Sequence, residues 1–323
     1  MMYRLLLSPL AKSAYFFETT SVALAELKFC MPDVDAHIDE RSSLTFVAVD
    51  APAHLQTQLR RLSFVQAIFT GDDALTVVDA DPKFRGPEDL VFGAKYPGKT
   101  NELVTQMAIN LALATADLTD VETPRLLDPM AGRGTTLLWA HRYGLDAFGV
   151  EPQPKDREAF ERHVKKQTKL HRLKHRRQSG TIDRTNRQQV GHFIEFEMGD
   201  RIMRLVTGDS RNLAHLVQRR RFHCIVADLP YGIQHSTPQG TRNPAALLAE
   251  VVPLWAKQMV PGGAMVLSFN TYQPKRKALI NIVEDAGLTV MEFSAHHRMS
   301  ESIVRDFIVA RRERVSNEPI KRS

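Results

Sequence analysis

An α/β fold is predicted: a Rossmann-like sheet with helices on both faces, and a small α+β domain ahead of it. Three observations carry this. The run Phe222 to Val226 is continuously apolar and leads into Ala227-Asp228-Leu229-Pro230-Tyr231-Gly232, a buried strand closing on an acid. Pro124–Leu127 runs in the same way into Asp128-Pro129-Met130-Ala131-Gly132-Arg133-Gly134-Thr135, with a helix expected over Thr136–Tyr143. Ala147–Val150 is a third short strand, closed by Glu151. Strands that alternate with helices and end in acids describe a mostly parallel sheet, and such sheets bind ligands outside the carboxyl ends of their strands.

Composition agrees with a globular chain. The 323 residues suffice for one large or two ordinary domains, and 43% hydrophobic residues suffice for a full core. The two cysteines, Cys30 and Cys224, give neither a disulfide framework nor a metal-ligand spacing, which suits a reducing, cytoplasmic setting. No apolar run approaches the ~20 residues of a membrane span, and Ser8, Pro9 and Lys12 interrupt the apolar start, which reads as a strand rather than a signal core. Between Lys155 and Val190 stand twelve Lys/Arg against four Asp/Glu, a local +8 in a chain of net +6. The remainder is therefore net negative, and the basic segment is the expected footprint of a polyanion.

Taken in order, residues 1–92 form the expected α+β domain. Tyr3–Leu7, Leu44–Val49 and Leu75–Val78 read as strands, while Ser21–Phe29 (with Ser21 as cap) and Pro52–Leu62 read as helices, in the order βαβαβ. A positioning or docking role suits it, since it carries no catalytic constellation. Residues 93–323 form the second domain. Its first helix is capped by Thr100 or Asn101 and carries Leu103, Met107, Leu111 and Ala114 on one face. The preceding Gly93-Ala94-Lys95-Tyr96-Pro97-Gly98-Lys99-Thr100 matches the phosphate-loop pattern, and a strand ending in Asp228 would suit a magnesium ligand. The context opposes that reading: Leu90–Phe92 is too short a strand to lead into such a loop, and Pro97 removes a backbone donor.

The glycine turn is better placed. Gly132 and Gly134 let backbone approach a ligand closely, and the following helix start favours an anionic group such as a carboxylate. Glu151 stands where a carboxylate can hold ribose hydroxyls. The segment after it begins as a sparsely apolar helix (Phe160, Val164, Leu170), passes through a basic run at Lys169–Arg177, and continues as a polar Ser179–Gln189 without expected structure. His171 and His175 have the i, i+4 spacing of a metal pair, but so basic a stretch favours a solvated face. Phe193–Glu197 and Met203–Val206 read as a hairpin leading to Gly208-Asp209-Ser210, where Asp209 could accept from an adenine amine or cap the helix expected at Asn212–Arg219. Beyond Asp228 come a polar loop at Ile233–Asn243, helices over Pro244–Met259 and Lys275–Ala286, and strands over Gly263–Phe269, Thr289–Ser294 and Ile303–Ala310. Asp228 and the carbonyls flanking Pro230 can accept hydrogens from a planar amine, and the Tyr231 ring can stack on a flat heterocycle.

On Asp128–Thr135 together with Asp228-Leu229-Pro230-Tyr231-Gly232-Ile233, residues 90–310 resemble class I S-adenosylmethionine-dependent methyltransferases, and more narrowly the tRNA guanine-N2 methyltransferase family. The resemblance implies S-adenosylmethionine as cofactor, held by Asp128, Met130, Ala131, Gly132, Gly134 and Thr135 at its methionine end. It further implies Glu151 on the ribose, Asp209 and Ser210 at the adenine, and Thr100 closing over the cofactor. Asp228, Pro230 and Tyr231 would be the catalytic residues at the guanine amine. tRNA would be the partner, met by residues 155–190 and the N-terminal domain, with no membrane involved; a small activating subunit is not specified by the sequence. Typical members carry a ferredoxin-like region followed by a THUMP domain, and residues 1–92 are too few for both, so the basic segment is expected to share in tRNA capture. Two other readings remain at this point: a DNA adenine or cytosine amino-methyltransferase, and a non-catalytic RNA-binding protein on a methyltransferase fold.

Overall fold

The computed structural model describes residues 1–96, 99–183, 189–229, 244–300 and 303–314. The sequence motif residues Pro97, Gly98, Pro230 and Tyr231 and the loop at 233–243 lie outside them.

The chain begins with β1 (Met2–Leu7), α1 (Pro9–Tyr15), α2 (Thr19–Cys30), β2 (Asp35–Arg41), β3 (Leu44–Asp50), α3 (Gln56–Arg61), β4 (Val65–Thr70) and β5 (Thr76–Val78). These strands form an antiparallel sheet in the order β2-β3-β1-β4-β5. The expected βαβαβ order lacked α1 and the interior strand β4 as well as the edge strand β2. The β2 sequence, DAHIDER, alternates only weakly, and on a sheet edge with little to bury it needs no stronger pattern. Ser21 is not a cap, because α2 begins two residues earlier at Thr19.

Next come α4 (Asp89–Phe92), α5 (Glu102–Thr115), β6 (Arg125–Asp128), α6 (Thr135–Arg142), β7 (Asp146–Glu151), α7 (Pro154–Leu170), β8 (Arg176–Asp183), β9 (Gln189–Met198) and β10 (Arg201–Thr207). They are followed by α8 (Leu213–Leu216), β11 (Phe222–Asp228), α9 (Pro244–Ala256), β12 (Met259–Asn270), α10 (Arg276–Asp285), β13 (Thr289–Val290), β14 (His297–Ser300) and β15 (Ile303–Arg311). Among the described residues they build a second sheet in the order β13-β15-β12-β11-β6-β7-β10-β9-β8, with β14 on β15. The five central strands, β12 to β10, are parallel; β15 and the β9–β8 ribbon are antiparallel to their neighbours.

Both faces of the central strands are covered. Leu126, Ala147, Leu205, Cys224, Val226 and Val266 face one core, while their neighbours Leu127, Phe148, Val206, Ile225, Ala227 and Leu267 face the other. Helices α5 and α6 pack on the first face, α9 and α10 on the second. A strand covered on both sides has no reason to alternate, which is why β11 reads as one apolar run.

Two expectations fail here for identifiable reasons, and the metal spacing already disfavoured in the sequence does not form. Leu90–Phe92 is helical, because its apolar residues pack as one turn against α6 and α7. Part of the polar stretch from Ser179 is ordered: it continues β8 as far as Asp183 and pairs with β9, where backbone hydrogen bonds rather than side-chain burial hold it. His171 and His175 do not share a helix face, since α7 ends at Leu170; His171 Nε2 lies 3.1 Å from Asp89, and His175 Nδ1 lies 3.0 Å from the Leu173 carbonyl. Among the described residues no group of three or more His, Cys, Asp or Glu could hold a metal ion, and no helix is long and apolar enough to cross a membrane.

The two sheets share a core, and a polar cluster lies within it. Glu26 on α2, fully buried, accepts from the Ser63 N–H at 3.0 Å, the Ser63 hydroxyl at 2.6 Å and Asn110 Nδ2 on α5 at 2.7 Å. The Tyr143 hydroxyl donates to Asn110 Oδ1 at 2.6 Å. Burial pushes the Glu26 carboxyl up to about 7, against the pull of those donors. The folded chain therefore keeps a proton that the unfolded chain releases above its ordinary pKa of about 4.5, and this site's stability contribution declines as pH rises from there through about 7. Glu26→Gln is expected to gain stability over the parent by on the order of 1–3 kcal/mol more at pH 8 than at pH 5. Thermal melts at the two pH values test this; a gap that does not widen rejects it.

Candidate functional site at the carboxyl edge of the sheet

Four neighbouring parallel strands, β11, β6, β7 and β10, end with Asp228, Asp128, Glu151 and, two residues past Thr207, Asp209. The sheet order thus brings together residues up to 100 positions apart along the chain.

Between β6 and α6 the chain turns through Gly132 (φ +51°) and Gly134 (φ +80°), left-handed conformations that glycine enters without steric cost. A Cβ on Gly134 would stand 2.6 Å from the Phe160 ring of α7, so this glycine also permits close helix packing. A Cβ on Gly132 would meet nothing within 4 Å, so that side of the turn is open. The turn is braced from below. Asp128 Oδ1 accepts from the Met130 N–H at 2.9 Å, Glu151 Oε2 accepts from the Gly132 N–H at 3.0 Å, and the Ala131 N–H reaches the Val150 carbonyl at 2.9 Å. Glu151 Oε1 also accepts from the Gln153 N–H at 2.9 Å. Thr135 opens α6 and its hydroxyl bonds Tyr96.

Asp128, 3% exposed, has its carboxyl pushed up to about 7, chiefly by burial and further by the charges of Asp228 and Glu151; the Thr136 hydroxyl and the Met130 N–H pull the other way. The edge is thus a crowded acidic site that favours a positively charged ligand.

Asp228 is held from three elements. The parallel register sets it beside Ser268 on β12, whose hydroxyl donates to Oδ1. Thr100, just before α5, donates to Oδ2 at 2.6 Å, and Arg305 Nη2 of β15 reaches the same oxygen at 3.2 Å. Arg305 is 3% exposed, so the cationic end of the pair is buried while the Asp228 carboxylate stays partly accessible. Asn101, not Thr100, is the N-cap of α5, accepting from the Leu103 N–H at 2.9 Å; this leaves the Thr100 hydroxyl for Asp228.

The structure therefore gathers Asp128, Met130, Ala131, Gly132, Gly134, Thr135, Glu151, Thr100 and Asp228 around one edge. Asp209 and Ser210 lie on its flank. Asp209 is half exposed and caps the short turn Ser210–Asn212 through the Arg211 N–H at 2.9 Å, its capping role; the expected helix shrinks to α8. Pro230 and Tyr231 lie outside the described residues. Sequence reasoning missed Ser268 and Arg305, because neither belongs to a motif. Only the β11–β12–β15 register brings them to Asp228, although Ser268 at the end of an apolar strand is a polar intrusion that could have been noticed.

The phosphate-loop coincidence is resolved by geometry. A helix, not a strand, precedes it. Lys99 Nζ is spent on the Val91 carbonyl at 2.8 Å, the Ala94 carbonyl at 2.7 Å and Glu102 Oε1 at 2.5 Å. Asp228, the supposed magnesium ligand, is taken up by Thr100, Ser268 and Arg305.

Strand order, two-sided helix cover and the glycine turn together define a Rossmann-like α/β fold. No family model matches the chain, and no curated protein does. Among solved structures it is similar to TrmN from Thermus thermophilus, at 16% identity and a TM-score of 0.45, covering 86% of this chain and 60% of that one. It is also similar to magnesium protoporphyrin IX methyltransferase from Synechocystis (13%, TM-score 0.42, 70% of this chain and 89% of that one) and to an rRNA methylase from Streptococcus thermophilus (12%, TM-score 0.39, 65% and 96%). At such distances these likenesses decide neither substrate nor chemistry.

Proposed function

We propose that this chain transfers a methyl group from S-adenosylmethionine to the exocyclic amine of a nucleobase, and that the acceptor is guanine N2 in tRNA. The observation that carries the reading is the placement of Asp228 one strand away from a glycine turn braced by Asp128 and Glu151. The acidic edge suits a ligand that is cationic at its sulfonium and amino groups, and the open side of Gly132 leaves room for close approach.

In this reading Met130, Ala131, Gly132, Gly134 and Thr135 hold the methionine end, Glu151 holds the ribose, and Asp209 with Ser210 holds the adenine. When bound, the cofactor supplies a methyl group already activated by its sulfonium. The protein's task is then positioning, which can supply on the order of 7–11 kcal/mol. The hydroxyls of Thr100 and Ser268 can rotate, so Asp228 can exchange them for the hydrogens of an entering amine. Accepting those hydrogens turns the nitrogen lone pair out of conjugation and stabilises the positive charge that develops on it. The Pro230 carbonyl and the Tyr231 ring are assigned to the amine and to base stacking from the sequence alone. A base within a helix must first be extruded, at a cost of a few kcal/mol. The basic segment 155–190, with the N-terminal sheet, supplies the reason to choose a nucleic acid.

Nucleoside mass spectrometry of tRNA from a strain lacking this chain, together with transfer of labelled methyl to tRNA and to duplex DNA, tests the reading. Loss of N2-methylguanosine and label in tRNA are expected. Label confined to DNA replaces tRNA with DNA as substrate; absence of transfer and of calorimetric cofactor binding leaves a non-catalytic protein.

A further inference from the structure

Beside the glycine turn, α6, α7 and residues 94–96 and 99 line an open-sided cleft. Its described lining includes Lys95, Tyr96, Lys99, Arg133, Arg162 and His163, and no carboxylate. Half of these groups are already committed. Lys99 is consumed by its carbonyl and Glu102 contacts, Arg133 pairs with Asp156 at 2.9 Å while lying 4.3 Å over the Tyr96 ring, and His163 Nε2 lies 2.7 Å from the Leu90 carbonyl. Burial also pulls the His163 imidazole below its ordinary value. Two exposed cations of the lining are not so committed. Lys95 makes no ion pair among the described residues, and the contact of Arg162 with Glu158 is long, 3.9 Å between two exposed side chains.

A second observation points outward from the same place. Arg162 begins a row of exposed cations on α7, continued by Lys166 and Lys169. The i, i+4, i+7 spacing puts them on one side of the helix, over about 10 Å at 1.5 Å per residue. An isolated phosphate needs one end of that row; a repeating polyanion can use both the cleft and the row. The cleft also shares Arg133 and Thr135 with the turn that borders the acidic edge.

We propose that this cleft receives a backbone phosphate of the RNA substrate, with Lys95 and Arg162 as its ligands and the α7 row carrying the flanking phosphates. This rests on the nucleic-acid reading above. The acidic edge repels a sugar–phosphate chain while accepting a single base; the basic cleft, which shares Arg133 and Thr135 with the turn, holds the chain beside it.

The test is the salt dependence of tRNA binding by the full chain, comparing the parent with the double substitution Lys95→Gln and Arg162→Gln. Loss of one to two phosphate contacts is expected to lower the slope of log K against log[salt] by about 0.7–1.8 and to weaken binding several-fold at 0.1 M salt. Cofactor affinity by calorimetry and the melting temperature should stay at parental values, because both side chains are exposed. Lys95→Arg with Arg162→Lys should restore the slope. A double variant that binds tRNA with the parental slope overturns the cleft while leaving the methyltransferase reading intact. A parent chain that binds no tRNA overturns both, and a substitution-sensitive slope seen with duplex DNA but not with tRNA overturns the choice of RNA.

Discussion

Asp228→Asn is expected to lower methyl transfer by about 10³-fold or more while changing S-adenosylmethionine affinity little. The argument is geometric. Asp228 is braced by groups from three other elements: Thr100 before α5, Ser268 on β12 and Arg305 on β15. Asp128 and Glu151, by contrast, brace the glycine turn. Replacing the carboxylate by an amide leaves one acceptor oxygen in place of two and takes away the charge that would offset a developing positive charge on the amine, effects worth several kcal/mol. Asparagine keeps the shape, so the Thr100 and Ser268 hydroxyls still find a partner. Asparagine still offers Arg305 an amide group, whereas alanine offers it nothing and would add a larger folding cost to the catalytic one. The same substitution removes one of the charges that raise the Asp128 carboxyl, so Asp128 is expected to titrate lower than about 7 in the variant. Single-turnover transfer, calorimetry and carboxyl titration by NMR read the three effects separately. Turnover within tenfold of the parent would remove Asp228 from the reaction.

Arg305→Met is the second large effect. Arg305 is buried and meets Asp228 Oδ2 at 3.2 Å, in a site where Thr100 shares the same oxygen. Breaking a fully buried ion pair costs about 3–5 kcal/mol; with Asp228 partly exposed and still bonded by Thr100 and Ser268, a smaller loss of stability is expected. The expected result is a lowered melting temperature and a fall in kcat larger than any rise in KM, because Arg305 acts through the Asp228 carboxylate rather than on a substrate. Arg305→Lys keeps the charge without the planar fork and should recover stability more fully than kcat. A Met variant with parental kcat and lowered stability would make Arg305 structural only.

Much of the large sheet was legible in the sequence because its strands are buried on both faces. Burial on two sides leaves an uninterrupted apolar run, and such runs at β6, β7 and β11 each close on an acid at the edge where ligands bind. The glycine turn was legible for a related reason: two left-handed positions leave few alternatives to glycine. Edge strands were much less so. Asp35–Arg41 and Arg176–Asp183 are held by backbone hydrogen bonds with little side-chain burial, and a backbone ladder leaves no pattern in residue types.

The residues around Asp228 mark the same division. The strand, its terminal acid and the turn opposite it follow from local composition. That Ser268 and Arg305 reach that acid follows only from register, the Asp228–Ser268 pairing and the fold-back of β15 on β12. That Thr100 serves Asp228 while Asn101 caps α5 depends on where a helix start lands against a strand end 128 positions away. Local sequence sets which groups a segment can offer; which groups meet is set by packing between segments, and no spacing along the chain encodes it.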